Sequence, residues 1–158
     1  MADLIHCVAD YLEFEDIRSY LVFEAYGEIV HERISQLGEK AVNVILGSVD
    51  HEQQMASVAA LSVIEIWMKG SQSFKLQGNN RQIAKNILLR KALEDENEGT
   101  RRCAVDILGN LGEADVIPTL ERVSQQDTSV ATRRDGTIYY PVRERAKKGL
   151  EKLRAAGK

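Results

Sequence analysis

Metal binding or acid–base chemistry in this chain would rest on three histidines (His6, His31, His51), two cysteines (Cys7, Cys103) and two runs of acids. The runs are Glu13, Glu15, Asp16 and Glu94, Asp95, Glu96, Glu98. Metal sites need several such ligands at short, fixed spacings. No His or Cys here has a partner at that spacing, and the neighbours His6 and Cys7 diverge if they lie on a helix. Each histidine therefore reads as a surface or cap residue. Cys103 has no histidine near it in sequence to generate a thiolate and reads as a small core residue. Both acidic runs fall at expected helix starts, where carboxylates cap free amides and oppose the helix dipole. There is no GxSxG elbow, Walker loop, GxGxxG or HExxH. No catalytic residue, cofactor or metal is expected.

Binding is better served than catalysis, because the chain repeats itself. Thr100–Leu111 returns in outline as Val142–Leu153: Arg101, Ala104, Leu108 and Leu111 are answered 42 residues later by Arg143, Ala146, Leu150 and Leu153. A period of that size with helical apolar spacing marks a helical solenoid, and solenoids mostly hold other macromolecules.

The elements that must present these residues follow from apolar spacing and caps. Asp3–Leu12 predicts a short helix, and Asp16 opens a longer one through Tyr20, Phe23, Val30 and Ile34 to Gly38. Glu39–Leu46 is a short helix followed by a turn, Gly47–Asp50. Glu52–Met68 is apolar on most sides, so it predicts a helix packed on both flanks and the centre of the core. Lys69–Asn80 reads as a loop. Arg81–Leu93 is helical through Ile83, Ile87, Leu88 and Leu93. Asp95 and Glu98 fit a capping box for a helix ending at Leu111–Gly112. Asp115–Pro118 opens the next helix, to about Val123, with proline tolerated in the first turn. In Ser129–Pro141, β-branched and aromatic residues flank Asp135-Gly136, which predicts an inserted hairpin. A last helix runs over Val142–Arg154.

With 44% apolar and 28% charged residues the chain is globular rather than disordered. No apolar run approaches the roughly 18 residues of a membrane span. The start of the chain shows no signal-peptide pattern, and two isolated cysteines suit a reducing cytoplasm. Charge is uneven: residues 1–80 carry 5 Lys/Arg and 12 Asp/Glu, whereas residues 81–158 carry 16 and 12. Such polarity steers a charged partner or favours head-to-tail self-association; it also fits two plain solvated surfaces.

Asp95, Thr100-Arg101-x-x-Ala104-x-x-x-Leu108-Gly109-x-Leu111-Gly112, then Ala114-x-Val-Ile-Pro118-x-Leu120, resembles the HEAT-like repeats of the phycobilisome-lyase type. Val142-Arg143-x-x-Ala146-x-x-x-Leu150-x-x-Leu153 resembles the next repeat. The resemblance covers about Ile83–Leu153 and weakens upstream, where Asp50, Ala59, Val63 and Ile66 keep the offsets but Ala56 stands in the arginine position. It implies an all-α, short right-handed superhelix of about three to four helix pairs. Residues 1–48 would be an N-terminal cap with diverged helices, 49–80 a diverged repeat and loop, and 81–158 the clearer repeats with an insertion at 129–141. In that reading small Ala104 and Ala146 let paired helices approach, and the leucines form the stripe that one repeat cannot bury alone. By the same resemblance Arg101 and Arg143 run between repeats and pair with acidic loop residues such as Asp95 or Asp127.

In stacked helix pairs the second helix of each repeat lines the concave face. Positions off the Ala/Leu stripe are Ser57, Leu61 and Glu65, then Arg102, Asp106 and Asn110, then Glu144, Lys148 and Lys152. The inserted hairpin adds Arg133, Arg134, Tyr139 and Tyr140. Arg102, Asp106, Asn110, Arg133, Arg134, Tyr139, Tyr140, Glu144, Lys148 and Lys152 are the candidate partner-binding residues. Tyr139 and Tyr140 either anchor a partner or close the hairpin. The expected function is non-catalytic binding of a protein, as in a small bacterial adaptor or a toxin-inhibiting immunity protein. Two other classes are a bilin-lyase subunit acting on phycobiliproteins and a nucleic-acid-binding protein of the alkylpurine DNA glycosylase type. The first lacks a visible chromophore-handling site. The second would need a strongly basic groove, against a chain net charge of −3.

Overall fold

The computed structural model describes residues 39–50, 54–70 and 74–157, which are mostly helical and divide between two compact units, Met1–Asn80 and Arg81–Lys158. The helices expected over Asp3–Leu12 and Asp16–Gly38, together with His6, Cys7, His31 and His51, lie outside the described residues.

In the first unit, α1 (Glu39–Ser48) packs on α2 (Gln54–Lys69). The α1 helix runs two residues further than its apolar spacing predicts, and Ser48 turns its hydroxyl back to donate to the Val44 carbonyl at 2.8 Å. Both flanks of α2 are covered: Leu61, Ile64, Trp67 and Met68 are buried on one side, Ala59 and Val63 on the other. Such two-sided burial is why its sequence shows so little polar face. After α2 the chain folds back so that the Leu76 amide donates to the Trp67 carbonyl at 2.9 Å. Phe74 meets the Trp67 ring edge-on, with centroids 5.2 Å apart.

The second unit begins inside α3 (Gly78–Glu94), a helix that starts three residues earlier than Arg81. Its buried face also differs from the apolar reading. Ala84, Lys85, Leu88, Lys91 and Ala92 are buried, Ile87 and Leu93 are half-buried, and Ile83 is exposed. Two lysines enter this stripe because each ammonium meets carboxylates at its tip while the stem packs, the usual way a long cation is buried. Lys85 reaches Glu113 and, at 2.7 Å, Asp115, while Lys91 reaches Asp95 at 2.7 Å.

Helix α4 (Glu98–Leu111) is capped differently from the expected Asp95–Glu98 box. Asn97 is the cap, its side-chain oxygen accepting from Gly99 N at 2.8 Å and Thr100 N at 3.3 Å. Asp95 is occupied elsewhere, taking the Asn97 amide and Lys91. Gly112 ends the helix at φ +69°, a left-handed conformation that favours glycine. One 3₁₀ turn (Ala114–Val116) leads into α5 (Ile117–Gln126), with Pro118 in its first turn and an end three residues beyond Val123.

The inserted hairpin is present as two short antiparallel strands, β1 (Ala131–Thr132) and β2 (Ile138–Tyr139), pairing Ala131 with Tyr139 and Thr132 with Ile138. Its tip is a three-residue loop, Arg134-Asp135-Gly136. The Gly136 amide donates to the Arg133 carbonyl at 3.0 Å, and Gly136 alone takes positive φ. That is the turn-plus-bulge form of hairpin rather than the tight two-residue form. Helix α6 (Pro141–Ala155) follows directly, opening on a proline that lacks the amide a first turn leaves unused.

Candidate functional site

Helix α6 packs against both α4 and α5, and the α4–α6 contact forms the candidate site. Asp106 meets Arg145 at 3.1 Å, Gly109 touches Gly149, and Asn110 accepts from Lys152 at 2.8 Å. These pairs ascend together along both helices, so α4 and α6 run in the same direction. Asn110 and Lys152 are 42 residues apart, one full period of the repeat. The stripe beneath is buried as expected at Ala104, Leu108, Ala146, Leu150 and Leu153, whereas Leu111 is half-buried beside the helix end.

Gly109 and Gly149 explain how close the two helices come. A Cβ on Gly109 would lie 2.8 Å from the Gly149 Cα, and one on Gly149 would lie 3.2 Å from the Gly109 Cα. The small residues that matter at the crossing are therefore this pair, in addition to the alanines of the stripe. Ala at an interior helix position is intrinsically better than Gly by roughly 0.5–1 kcal/mol. Gly109→Ala should nevertheless destabilise, because overpacking against backbone costs about 1–3 kcal/mol and α4 or α6 must shift. Gly149→Ala should cost less, since its contacts are longer and one of them is a side-chain atom, Leu120 Cδ1 at 3.3 Å, rather than backbone. Chemical denaturation of the two variants tests the order; a Gly109→Ala protein more stable than wild type would show that the crossing is looser than this.

Above the crossing lies a polar depression of about 160 Å³ lined by Val105, Asp106, Gly109 and Asn110 from α4 and Arg145, Lys148, Gly149 and Lys152 from α6. Four of the sequence-derived candidates, Asp106, Asn110, Lys148 and Lys152, are thus brought together. Arg145 joins them unforeseen. The repeat phasing placed it one residue off the expected face, and only its i, i+3, i+7 relation to Lys148 and Lys152 would have revealed it.

The remaining candidates are placed otherwise. Arg102 is exposed and faces Glu98 on its own helix at 3.5 Å. Glu144 takes Arg133 at 2.8 Å, and the Arg133 guanidinium also lies 4.8 Å from the Tyr139 ring centre. Arg143 stacks on Tyr140 at 4.3 Å. Tyr139 therefore packs on Arg133 within the hairpin, Tyr140 meets Arg143 of α6 while keeping part of its surface exposed, and Arg134 stands exposed at the hairpin tip. In the first unit, Ser57 and Leu61 do not face an open groove. Leu61 is fully buried, and Ser57 is buried with its hydroxyl donating to the Val49 carbonyl at 2.6 Å. Repeat phase alone misplaced them because α2 is covered on both flanks. Glu65 pairs with Lys69.

Arg101 and Arg143 converge on Asp127. Arg101 Nε meets the Asp127 carboxylate at 2.7 Å, with that carboxylate's side chain 6% exposed, and its NH1 donates to the Asp95 main-chain carbonyl at 2.6 Å. Arg143 donates to the Asp127 main-chain carbonyl rather than to its carboxylate. Burial alone would raise the Asp127 carboxyl. Hydrogen bonds from Arg101 and Ser129, with the guanidinium charge, outweigh it and hold the group below its usual range. The same competition depresses Glu113 between Lys85 and Arg81. These pairings tie loops to helices and leave neither arginine directed at the groove.

Among the described residues, no group of three or more His, Cys, Asp or Glu is placed to hold a metal, and no helix is long and apolar enough to cross a membrane. Cys103 is half-buried on α4. No family model, curated protein or solved structure matches the chain.

Proposed function

We propose that this protein is a non-catalytic binding module built from HEAT-like repeats, which holds a protein partner on the α4–α6 face of residues 81–158. The observation that carries this reading is the hydrogen bond between Asn110 and Lys152 across one repeat period. Equivalent positions of successive helices meet, with the helices parallel, as they do when repeats stack by translation. In such a stack the second helices line one continuous inner face. Here that face carries a polar depression on two helices whose separation is fixed by glycines, a rigid support of the kind that specific recognition needs. The neighbouring hairpin adds exposed Ile138, Tyr140 and Arg134. Aromatic residues and arginine are the types that most often anchor interfaces. A cytoplasmic adaptor or toxin-inhibiting role is the concrete form of this reading, and it rests on the family resemblance of the repeat residues.

The experiment is co-purification with the tagged chain, comparing wild type with Arg102→Glu and Lys148→Glu. Each reversal should weaken capture of the same partner, mainly through a slower, salt-sensitive association. Melting temperatures should barely move, because both side chains are exposed and the i, i+4 repulsion that Arg102→Glu adds is worth only about 0.5 kcal/mol. A partner retained equally by both variants would remove the α4–α6 face from consideration.

A further inference from the structure

We infer that the α4–α6 depression selects an acidic segment of its protein partner, with Lys148 and Lys152 receiving carboxylates; this rests on the reading of that face as the binding face. The charges that line it do not balance. Arg145, Lys148 and Lys152 bring three cations, and Asp106 is the one lining carboxylate. Asp106 is taken by Arg145 at 3.1 Å. Lys152 has the neutral Asn110 oxygen as its partner, and Lys148 stands exposed on the same row.

Helix α6 as a whole carries six Lys/Arg against two Glu, so its net charge has the same sign as that of the depression. Lysines four residues apart on a helix stand about 6 Å apart, a separation that matches two glutamates one turn apart on a partner helix. The sign pattern also separates a protein carboxylate from a nucleic acid. A duplex presents one charge per about 1.7 Å of its axis and each strand one per about 3.4 Å, so a nucleic-acid backbone would be laid across Asp106 as well. A side-chain carboxylate can be placed on the lysines alone.

The probe is a fluorescein-labelled helical peptide with glutamates at i, i+4 spacing, titrated into the full chain at low salt. A peptide of the same length with lysine for glutamate and a single-stranded DNA oligonucleotide serve as comparisons. The glutamate peptide should bind, at least tenfold more weakly to the Lys148→Glu/Lys152→Glu protein and within twofold of wild type to Lys147→Glu, whose exposed lysine lies off the groove row. Equal weakening by Lys147→Glu would reduce the effect to net charge and overturn the assignment. So would tighter binding of the DNA, or no binding of the glutamate peptide. If the lysine peptide binds as well while a co-purified partner is still lost on Lys148→Glu, the acidic preference fails and the binding face stands. If that partner is indifferent to Lys148, both fail.

Discussion

Trp67→Ala should destabilise the first unit by about 3–5 kcal/mol, the range for removing a large buried aromatic side chain. Trp67 is fully buried, and its neighbours come from two directions. Within α2 it shares a face with Ile64 and Met68, both buried. From the following loop it meets Phe74 edge-on, and its carbonyl holds the Leu76 amide, with Leu76 itself buried. Truncation would leave a cavity bordered by a loop, and the loop would lose the ring that orders it. An edge-to-face aromatic pair adds about 0.5–1.5 kcal/mol beyond its area, and that is lost too. Trp67 is the chain's one tryptophan, so helical circular dichroism during urea denaturation must replace fluorescence as the readout. A loss below about 0.5 kcal/mol, typical of surface positions, would show that the site is not core.

How legible all this is in the sequence depends on what each element had to satisfy. Helix positions follow from apolar spacing almost throughout the described residues, since α2, α4 and α6 each have a buried stripe to be read. The inserted hairpin is legible from Asp135-Gly136, because few residues other than glycine accept the positive φ its tip requires. Caps are less so. Asp95 and Asn97 are equally good capping types, and the choice went to Asn97 because Lys91 claims Asp95 through a contact along α3. The buried face of α3 misleads for a related reason. Lys85 and Lys91 read as solvent-facing until Glu113, Asp115 and Asp95 are seen to meet them.

For the site, phase alone brought Asp106, Asn110, Lys148 and Lys152 to one face, yet failed at Ser57 and Leu61, where both flanks of the helix are covered. Glycines at interior helix positions were the missed signal at the crossing. Gly109 and Gly149 each give up roughly 1 kcal/mol of helix propensity relative to alanine, and their close contact accounts for it.

Leu108→Ala should cost about 2–5 kcal/mol, measured as the change in unfolding free energy of the full chain in urea. Leu108 is fully buried on α4 between Ala104 and the Gly109 crossing, with Val105 and Ile107 buried beside it. The neighbouring small residues set where in that range the value falls. A cavity is relieved when surrounding groups can move in, and here the glycine contact already holds α4 against α6 at backbone distance. With the helices unable to close further, the void remains, and the cost should lie in the upper half of the range. Leu153→Ala, fully buried near the C-terminal end of α6, removes the same atoms where the helix end can relax, and it should cost less. The reverse order would mean that the Gly109–Gly149 crossing does not fix the distance between the two helices.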